Sequence, residues 1–246
     1  MSIIQEEFCI CDLWAAEAYL TALDAQETEL LKLLDSGIKI HQWFLDKTTE
    51  QFKKEVVEAK YGYEGAKSSV HALNYGIGSD EMTIRWGLPH YVTEWQHHFY
   101  HKSFLGIKLR QEKIKEKLYN SRTLVSLLGR KRIFLAPMNE KTLHKAYAWA
   151  SQSAIGELTI LALTKLFYLG VLSKRLPNFP WMFPALNTHD GLAIRCYKGN
   201  RELVEKCIEN AFRVPLQNKG ITITIPIEVG WASNFSDIKD KKILRY

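Results

Sequence analysis

Asp12 and Asp190 each follow a short run with strand character, FCICD and ALNTHD, and stand far apart in a chain of 246 residues. An apolar strand that delivers a bare carboxylate to its end can hold a divalent cation, and two such strands side by side can hold two. Between them in the chain lies AKSSVHALNYG, where Lys67, His71 and Tyr75 recur at i, i+4 and i+8. On a helix these three fall within an arc of about 80° and span roughly 12 Å, a length comparable to a triphosphate with its base. Lysine supplies a point charge, histidine a proton donor and tyrosine a flat surface for stacking. Carboxylates for magnesium together with such a face suit phosphoryl transfer on nucleotides. Each residue also has a plainer reading. Asp12 can cap a helix that begins near Ala15 or Ala16, Asp190-Gly191 can serve a hairpin turn alone, and the α-helical face can be an ordinary exposed one.

The elements that must position these residues follow from periodicity and breakers. Residues 3–11 read as a strand entering the core, with Cys9 and Cys11 on one face. Residues 14–34 carry a helical pattern that stops at Gly37. Residues 48–60 are charged and helical in pattern, Tyr61-Gly62-Tyr63 breaks them, residues 65–75 form a further helix, and Gly76 to Ser79 is a flexible exit. Residues 91–120 suit one or two amphipathic helices, 127–137 a turn or short hairpin, and 141–169 a long helix kinked near Gly156 and ended by Gly170. A proline-rich loop over 176–184 leads into the Asp190 hairpin, a helix over 201–212 and a late strand, ITITIPIEV, whose Pro226 implies a sheet edge or a bulge. Strands at both ends with helices inserted between them give an α+β fold.

Composition bounds the function. With 46% hydrophobic and 24% charged residues, the chain can bury a core in one large or two modest domains and is not disordered throughout. The net charge of +6 is modest, but between Lys102 and Arg132 ten basic residues oppose Glu112 and Glu116, a local +8. Such a field suits a polyanion; a solvated helix face has the same pattern. Cys9, Cys11, Cys196 and Cys207 make no CxxC pair and no zinc spacing, which fits reduced, packed thiols of a cytoplasmic protein. MSIIQEEF lacks the basic start and apolar core of a signal peptide. The most apolar stretch, AIGELTILALTKLFYLG, is interrupted by Glu157 and Lys165, which argues against a membrane span, and no membrane is expected as a partner.

The order of motifs resembles the fingers and palm of family-A DNA polymerases, the DNA polymerase I class, particularly the bacteriophage-type members. DLWAAEAYLTAL is similar to that family's first carboxylate motif, and GIKIHQW resembles the segment after it, whose histidine approaches nucleotide phosphates. AKSSVHALNYGIG resembles the fingers helix with its terminal aromatic-glycine pair, and LLGRKRIF the glycine-arginine turn between fingers and palm. AYAWASQSAIGELTILAL is similar to the palm helix whose glutamine touches primer-template, and THDGLAIRC to the second carboxylate motif. VPLQNKGITITIPIEVGWASNF resembles the closing palm segment. Together these cover nearly the whole chain in the family's order.

The resemblance implies an antiparallel-sheet palm with an inserted, mainly helical fingers subdomain: palm at 1–40, fingers at 41–128 and palm again at 129–246. It implies two Mg²⁺ ions held by Asp12, Asp190 and the backbone carbonyl of Leu13, with deoxynucleoside triphosphates and primer-template DNA as partners. Glu17 falls where the family excludes a ribose 2′-hydroxyl, and His41 and Lys67 fall at phosphate-contacting positions. His71, a catalytic candidate, stands where many members have a lysine that protonates the pyrophosphate leaving group, a role a histidine fills only when protonated. Tyr75 would stack on the incoming base; Arg130, Gln152 and His189 would meet DNA. Gly191 replaces a second acid, Trp14 and Ala15 a small polar pair, and Ser79 a tyrosine that shapes the pocket. The first motif begins eleven residues after Met1, so the reading expects a second chain to supply thumb and exonuclease, with the host cytoplasm as location if the source is viral. A DNA-binding or scaffolding subunit that has lost catalysis, and an unrelated α+β nucleotide-binding protein, are the competing readings.

Overall fold

Strand β1 (Glu6–Leu13) runs through the middle of the largest sheet, and its sequence shows why. Glu7, Cys9, Cys11 and Leu13 are buried, while Phe8, Ile10 and Asp12 on the other face are partly covered. That is the two-residue period of a strand packed more heavily on one side. The structure, a computed structural model, describes residues 6–168, 182–234 and 237–246. After β1 come helices α1 (Ala16–Ala25), α2 (Thr28–Asp35), α3 (Ile40–Gln51), α4 (Lys53–Glu58), α5 (Tyr63–Asn74), α6 (Ser79–Trp86), α7 (His90–Ser103) and α8 (Leu105–Ser121). A hairpin of β2 (Thr123–Val125) and β3 (Lys131–Ile133) leads to the long α9 (Glu140–Tyr168). Strands β4 (Met182–Asn187) and β5 (Gly191–Tyr197), helix α10 (Arg201–Phe212), the short β6 (Leu216–Asn218) and β7 (Ile221–Ile223), and strands β8 (Ile227–Ala232) and β9 (Lys239–Leu244) complete the order. The fold is α+β, with a five-stranded antiparallel sheet in the order β4-β5-β1-β8-β9.

The chain divides into two compact units, one of residues 1–16, 153–217 and 222–246, the other of residues 17–152 and 218–221. In the first, α10 packs its buried Val204, Cys207, Ile208, Ala211 and Phe212 toward β1 and β8. Glu7, on the buried face of β1, is only 3% exposed. Arg201 grips it with Nη2 at 2.7 Å and Nε at 3.1 Å, and this two-pronged pairing is what allows a carboxylate there. The same guanidinium lies 4.9 Å over the Trp231 ring. Cys9, Cys11, Cys196 and Cys207 are all buried free thiols of this unit. Burial pushes the Cys11 and Cys196 thiols up to about 12 and raises those of Cys9 and Cys207 as well.

The second unit is helical apart from the β2–β3 hairpin and the β6–β7 turn. The helix expected over 14–34 is broken in two. Gln26 adopts φ 58°, its side chain returns to the Leu23 carbonyl at 2.9 Å, and the Gly106 N–H donates to Glu27 Oε2 at 2.8 Å. Position 106 tolerates no side chain, because a Cβ there would lie 2.6 Å from the Ala25 carbonyl oxygen. Arg110 is buried against Asp24 and also donates to the Tyr147 carbonyl at 3.1 Å. It is therefore no part of the exposed basic surface that the charge count suggested; the other nine cations of that segment are exposed.

Other expectations shift in detail. Ser79, expected at the end of a flexible exit, instead opens α6, whereas residues 91–120 fall in two helices, within the one or two expected. ITITIPIEV is two strands rather than one, since Pro226 turns the chain and its carbonyl accepts the Trp14 N–H at 2.8 Å. β8 is internal to the sheet, whose edges are β4 and the basic β9. The helix stop at Gly170 and residues 176–181 of the proline-rich loop lie outside the described residues, while 182–184 belong to β4. No helix among the described residues is long and apolar enough to cross a membrane.

Candidate active site

In the first unit, Asp12 lies in β1 with Gly191 as its register partner on β5 and Glu228 on β8. The Leu13 N–H donates to the Asp190 carbonyl at 2.9 Å, so the turn bearing Asp190 is tied directly to the end of β1. Asp12 is thus a strand residue and not a helix cap, and Gly191 begins β5 instead of sitting in the turn. A Cβ at position 191 would lie 2.1 Å from Asp12 Oδ1 and 2.2 Å from the Cys11 carbonyl oxygen. The glycine that stands in place of an expected acid is therefore the space the Asp12 carboxylate occupies. Burial raises the Asp12 carboxyl above its ordinary value, Asp190 and Glu228 add to the rise, and Lys241 opposes it. Lys241 is itself paired with Glu228 at 3.1 Å. His189 is held at the foot of this turn: its carbonyl accepts from Thr159 Oγ1 at 3.2 Å, and a Cβ on Gly156 would be 3.7 Å from its Nε2.

Among the described residues no group of three or more His, Cys, Asp and Glu side chains could hold a metal ion. Magnesium does not need one, because it binds through one or two carboxylates and completes its shell with water and substrate phosphates. Asp12 and Asp190 fit that donor set. Burial raises the Asp12 carboxyl and the neighbouring Asp190 adds to the rise, a repulsion that a bound cation would relieve.

In the second unit, α5 carries Lys67 and His71 and is followed directly by Tyr75. Its last turn is closed by Gln111, whose Nε2 donates to the carbonyls of Leu73 at 2.8 Å and Asn74 at 3.1 Å. Tyr75 is the residue after that end, and Gly76 follows at φ 86°, where a Cβ would also strike the Tyr147 ring at 2.9 Å. Gln152 Nε2 donates to Glu17 Oε2 at 2.8 Å and reaches the Tyr75 hydroxyl at 3.2 Å, while His71 Nδ1 lies 2.8 Å from Glu17 Oε1. Burial pushes the Glu17 carboxyl upward, but His71, Tyr75 and Gln152 together hold it below its ordinary value. The Tyr75 hydroxyl is raised by burial and by Glu17. His41 packs its ring 5.0 Å from that of His71, and burial, aided by His71 and Lys67, lowers it to about 4, so it is neutral at pH 7. Lys67 is exposed one turn before His71. Arg130 is exposed in the β2–β3 turn, where its N–H donates to Ser126 Oγ at 3.1 Å.

The structure therefore gathers Asp12, Leu13, Asp190 and His189 in one unit, and Glu17, His41, His71, Tyr75 and Gln152 in the other. Arg130 stands apart on its turn. Sequence reasoning missed Glu228, which the strand pattern IEV would have placed beside β1 had the break at Pro226 been seen. It also missed the Glu17–His71 pair, for which 54 residues of separation leave no local signal.

No family model matches the chain, and no curated protein matches it. Among solved structures, the chain is similar to the polymerase domain of Pol1 from M. smegmatis in complex with DNA primer-template and dNTP. The TM-score is 0.74 over 92% of this chain at 16% sequence identity. The fold is that of a polymerase domain. The chain spans 39% of the length of that solved chain.

Proposed function

We propose that the chain is a family-A DNA polymerase portion that extends a primer by nucleotidyl transfer. The observation that carries this reading is the Asp12–Asp190 pair, fastened by the Leu13-to-Asp190 hydrogen bond, within a fold similar to a polymerase domain. Asp12, Asp190 and the Leu13 carbonyl would hold two magnesium ions. When bound, these ions supply positive charge that activates the primer 3′-hydroxyl and stabilises departing pyrophosphate. Lys67 and His71 meet the triphosphate, and neutral His41 offers it an N–H donor. Tyr75 stacks on the base, and Glu17 excludes a 2′-hydroxyl. Gln152 and His189 are assigned to the primer end, and Arg130 to the DNA backbone. The primer 3′-hydroxyl loses its proton to water as its oxygen bonds to the α-phosphorus, and the bond to the bridging oxygen breaks with its electron pair leaving on pyrophosphate. Palm at 1–40 and 129–246, fingers at 41–128, and a second chain bearing thumb and exonuclease belong to the same proposal.

Asp12→Ala and Asp190→Ala are each expected to lower Mg²⁺-dependent incorporation about a hundredfold or more, with DNA binding retained. A variant that still extends primer at the parental rate removes the metal assignment. A second reading, a DNA-binding subunit with weakened catalysis, is favoured by the absence of an acid at position 191. Primer extension with and without a thumb-bearing chain decides between them: incorporation in either condition supports the enzyme, and DNA binding alone supports the subunit.

A further inference from the structure

The side chain at position 71 is an imidazole, and the structure gives it a fixed carboxylate partner. His71 Nδ1 is 2.8 Å from Glu17 Oε1, with the two side chains 30% and 12% exposed. Glu17 cannot swing away freely, because its other oxygen accepts from Gln152 Nε2 at 2.8 Å, and that amide also reaches the Tyr75 hydroxyl. Releasing the carboxylate would leave buried polar groups unpaired. A ring held by a carboxylate at Nδ1 carries a proton on that nitrogen and offers Nε2 to whatever it meets. Nε2 has no hydrogen-bond partner among the described residues. The groups around the ring come from every side: Glu17 from α1, Gln152 from α9, His41 from α3, Lys67 from α5 itself and Tyr75 from just past its end. His41 is neutral at pH 7 and adds no charge there.

We propose that Glu17 is a positioning residue for His71, fixing the imidazole at Nδ1 so that Nε2–H is the proton donor to departing pyrophosphate. The proposal rests on the polymerase reading above. The ring enters the step as the imidazolium, its Nε2 proton taken from solvent. As the primer 3′-oxygen, its own proton passed to water, bonds to the α-phosphorus, the bond from that phosphorus to the bridging oxygen breaks, its electron pair goes to pyrophosphate, and pyrophosphate takes the Nε2 proton. The imidazolium is left as the neutral ring with Nδ1–H still donated to Glu17, and solvent returns the Nε2 proton after release. Glu17 thereby has two duties, one toward the sugar and one toward the leaving group.

Nitrogen-15 spectra of histidine-labelled protein test the link without activity, the His71 signals being identified by their loss in His71→Gln. At a pH near 8 the parent is expected to show a protonated Nδ1. Glu17→Met, which removes the acceptor at nearly constant volume, is expected to shift the ring toward Nε2–H, and Glu17→Gln, which keeps an acceptor, is expected to retain the parental signature. In single-turnover primer extension, Glu17→Met should lose about tenfold in kcat with less change in nucleotide KM. In a His71→Lys background, which supplies the proton without a carboxylate guide, the same change should cost little. An unchanged His71 tautomer in Glu17→Met overturns the proposal, as does a kcat loss that persists in full beside His71→Lys. Absence of Asp12-dependent incorporation from the parent is a different failure: it removes the polymerase reading and the leaving-group step with it, whatever the spectra show.

Discussion

Position 191 is where a single residue decides the geometry of the acidic pair. With a Cβ destined for a point 2.1 Å from Asp12 Oδ1, even Gly191→Ala must push the carboxylate or the strand aside. Overpacking of this kind costs about 1–3 kcal/mol, so thermal unfolding should move down by several degrees and primer extension should fall with it. Gly191→Glu, which adds an acid on paper, is expected to do worse than Gly191→Ala, because the larger group displaces the Asp12 carboxylate further. Tyr75 carries a second residue-scale expectation. If Tyr75 lines the nucleotide pocket as proposed, its hydroxyl would fill the space left by a missing 3′-hydroxyl, so the protein should accept chain-terminating dideoxynucleotides readily and Tyr75→Phe should discriminate against them; competition between the two nucleotide types in primer extension reads the ratio. At this scale the sequence was legible wherever chemistry coincided with a local pattern, as for Asp12 and Asp190 at the ends of apolar runs. It was silent on Gly191, whose necessity comes from a residue 179 positions away across the β1–β5 ladder, and on the Glu17–His71 pair for the same reason.

Among the elements, the junction of α1 with α8 rests on a charge that has no solvent to return to. Arg110 has a side chain 3% exposed while its partner Asp24 is 29% exposed. Removing the buried partner's counter-charge is the costlier change. Asp24→Ala should therefore destabilise by about 3–5 kcal/mol, and Arg110→Met, which leaves an acid that can still reach water, by clearly less. Urea unfolding of the two variants compares them directly. The helical unit also has a built-in sensitivity to acid. Burial lowers His41 and His101 to about 4 from an ordinary 6.5, and His101 Nδ1 is buried without a hydrogen-bond partner among the described residues. Both rings are neutral when folded, so their contribution is present above pH 6.5 and is lost as pH falls toward 4. Urea midpoints at pH 7 and pH 5 should differ more for the parent than for His101→Leu or His41→Gln. Helices α5 and α10 were readable because periodicity and breakers agreed there. The split between α1 and α2 was not, since Gln26 carries no glycine or proline signal and the break exists to admit Gly106. Strand β9 was missed because the first four residues of KDKKIL are all charged and show no hydrophobic alternation, as suits a sheet edge.

Across the whole molecule, charge is the feature most open to measurement. Nine exposed cations from Lys102 to Arg132 lie on the helical unit, on α7, α8 and the β2–β3 hairpin. If this surface meets DNA phosphates, log-log plots of affinity against salt should be steep, and neutralising Arg130, Lys131 and Arg132 together should reduce the slope by up to about 3. A slope that does not change would assign the hairpin to solvent. The charge segment was visible in the sequence; which of its members face outward was not, because Arg110 looks like the others until Asp24 is placed beside it. The thiols show a contrasting distribution. All four cysteines of the chain fall in the sheet-bearing unit, each buried and each raised in pKa, and the helical unit has none. An alkylating reagent therefore has nothing to attack until that unit opens, at the sheet or at α10, and it is blind to unfolding of the rest. Pulse labelling with iodoacetamide along a denaturant series, read by intact mass, would time the opening of that unit against loss of helical circular dichroism, with no engineered probe at all.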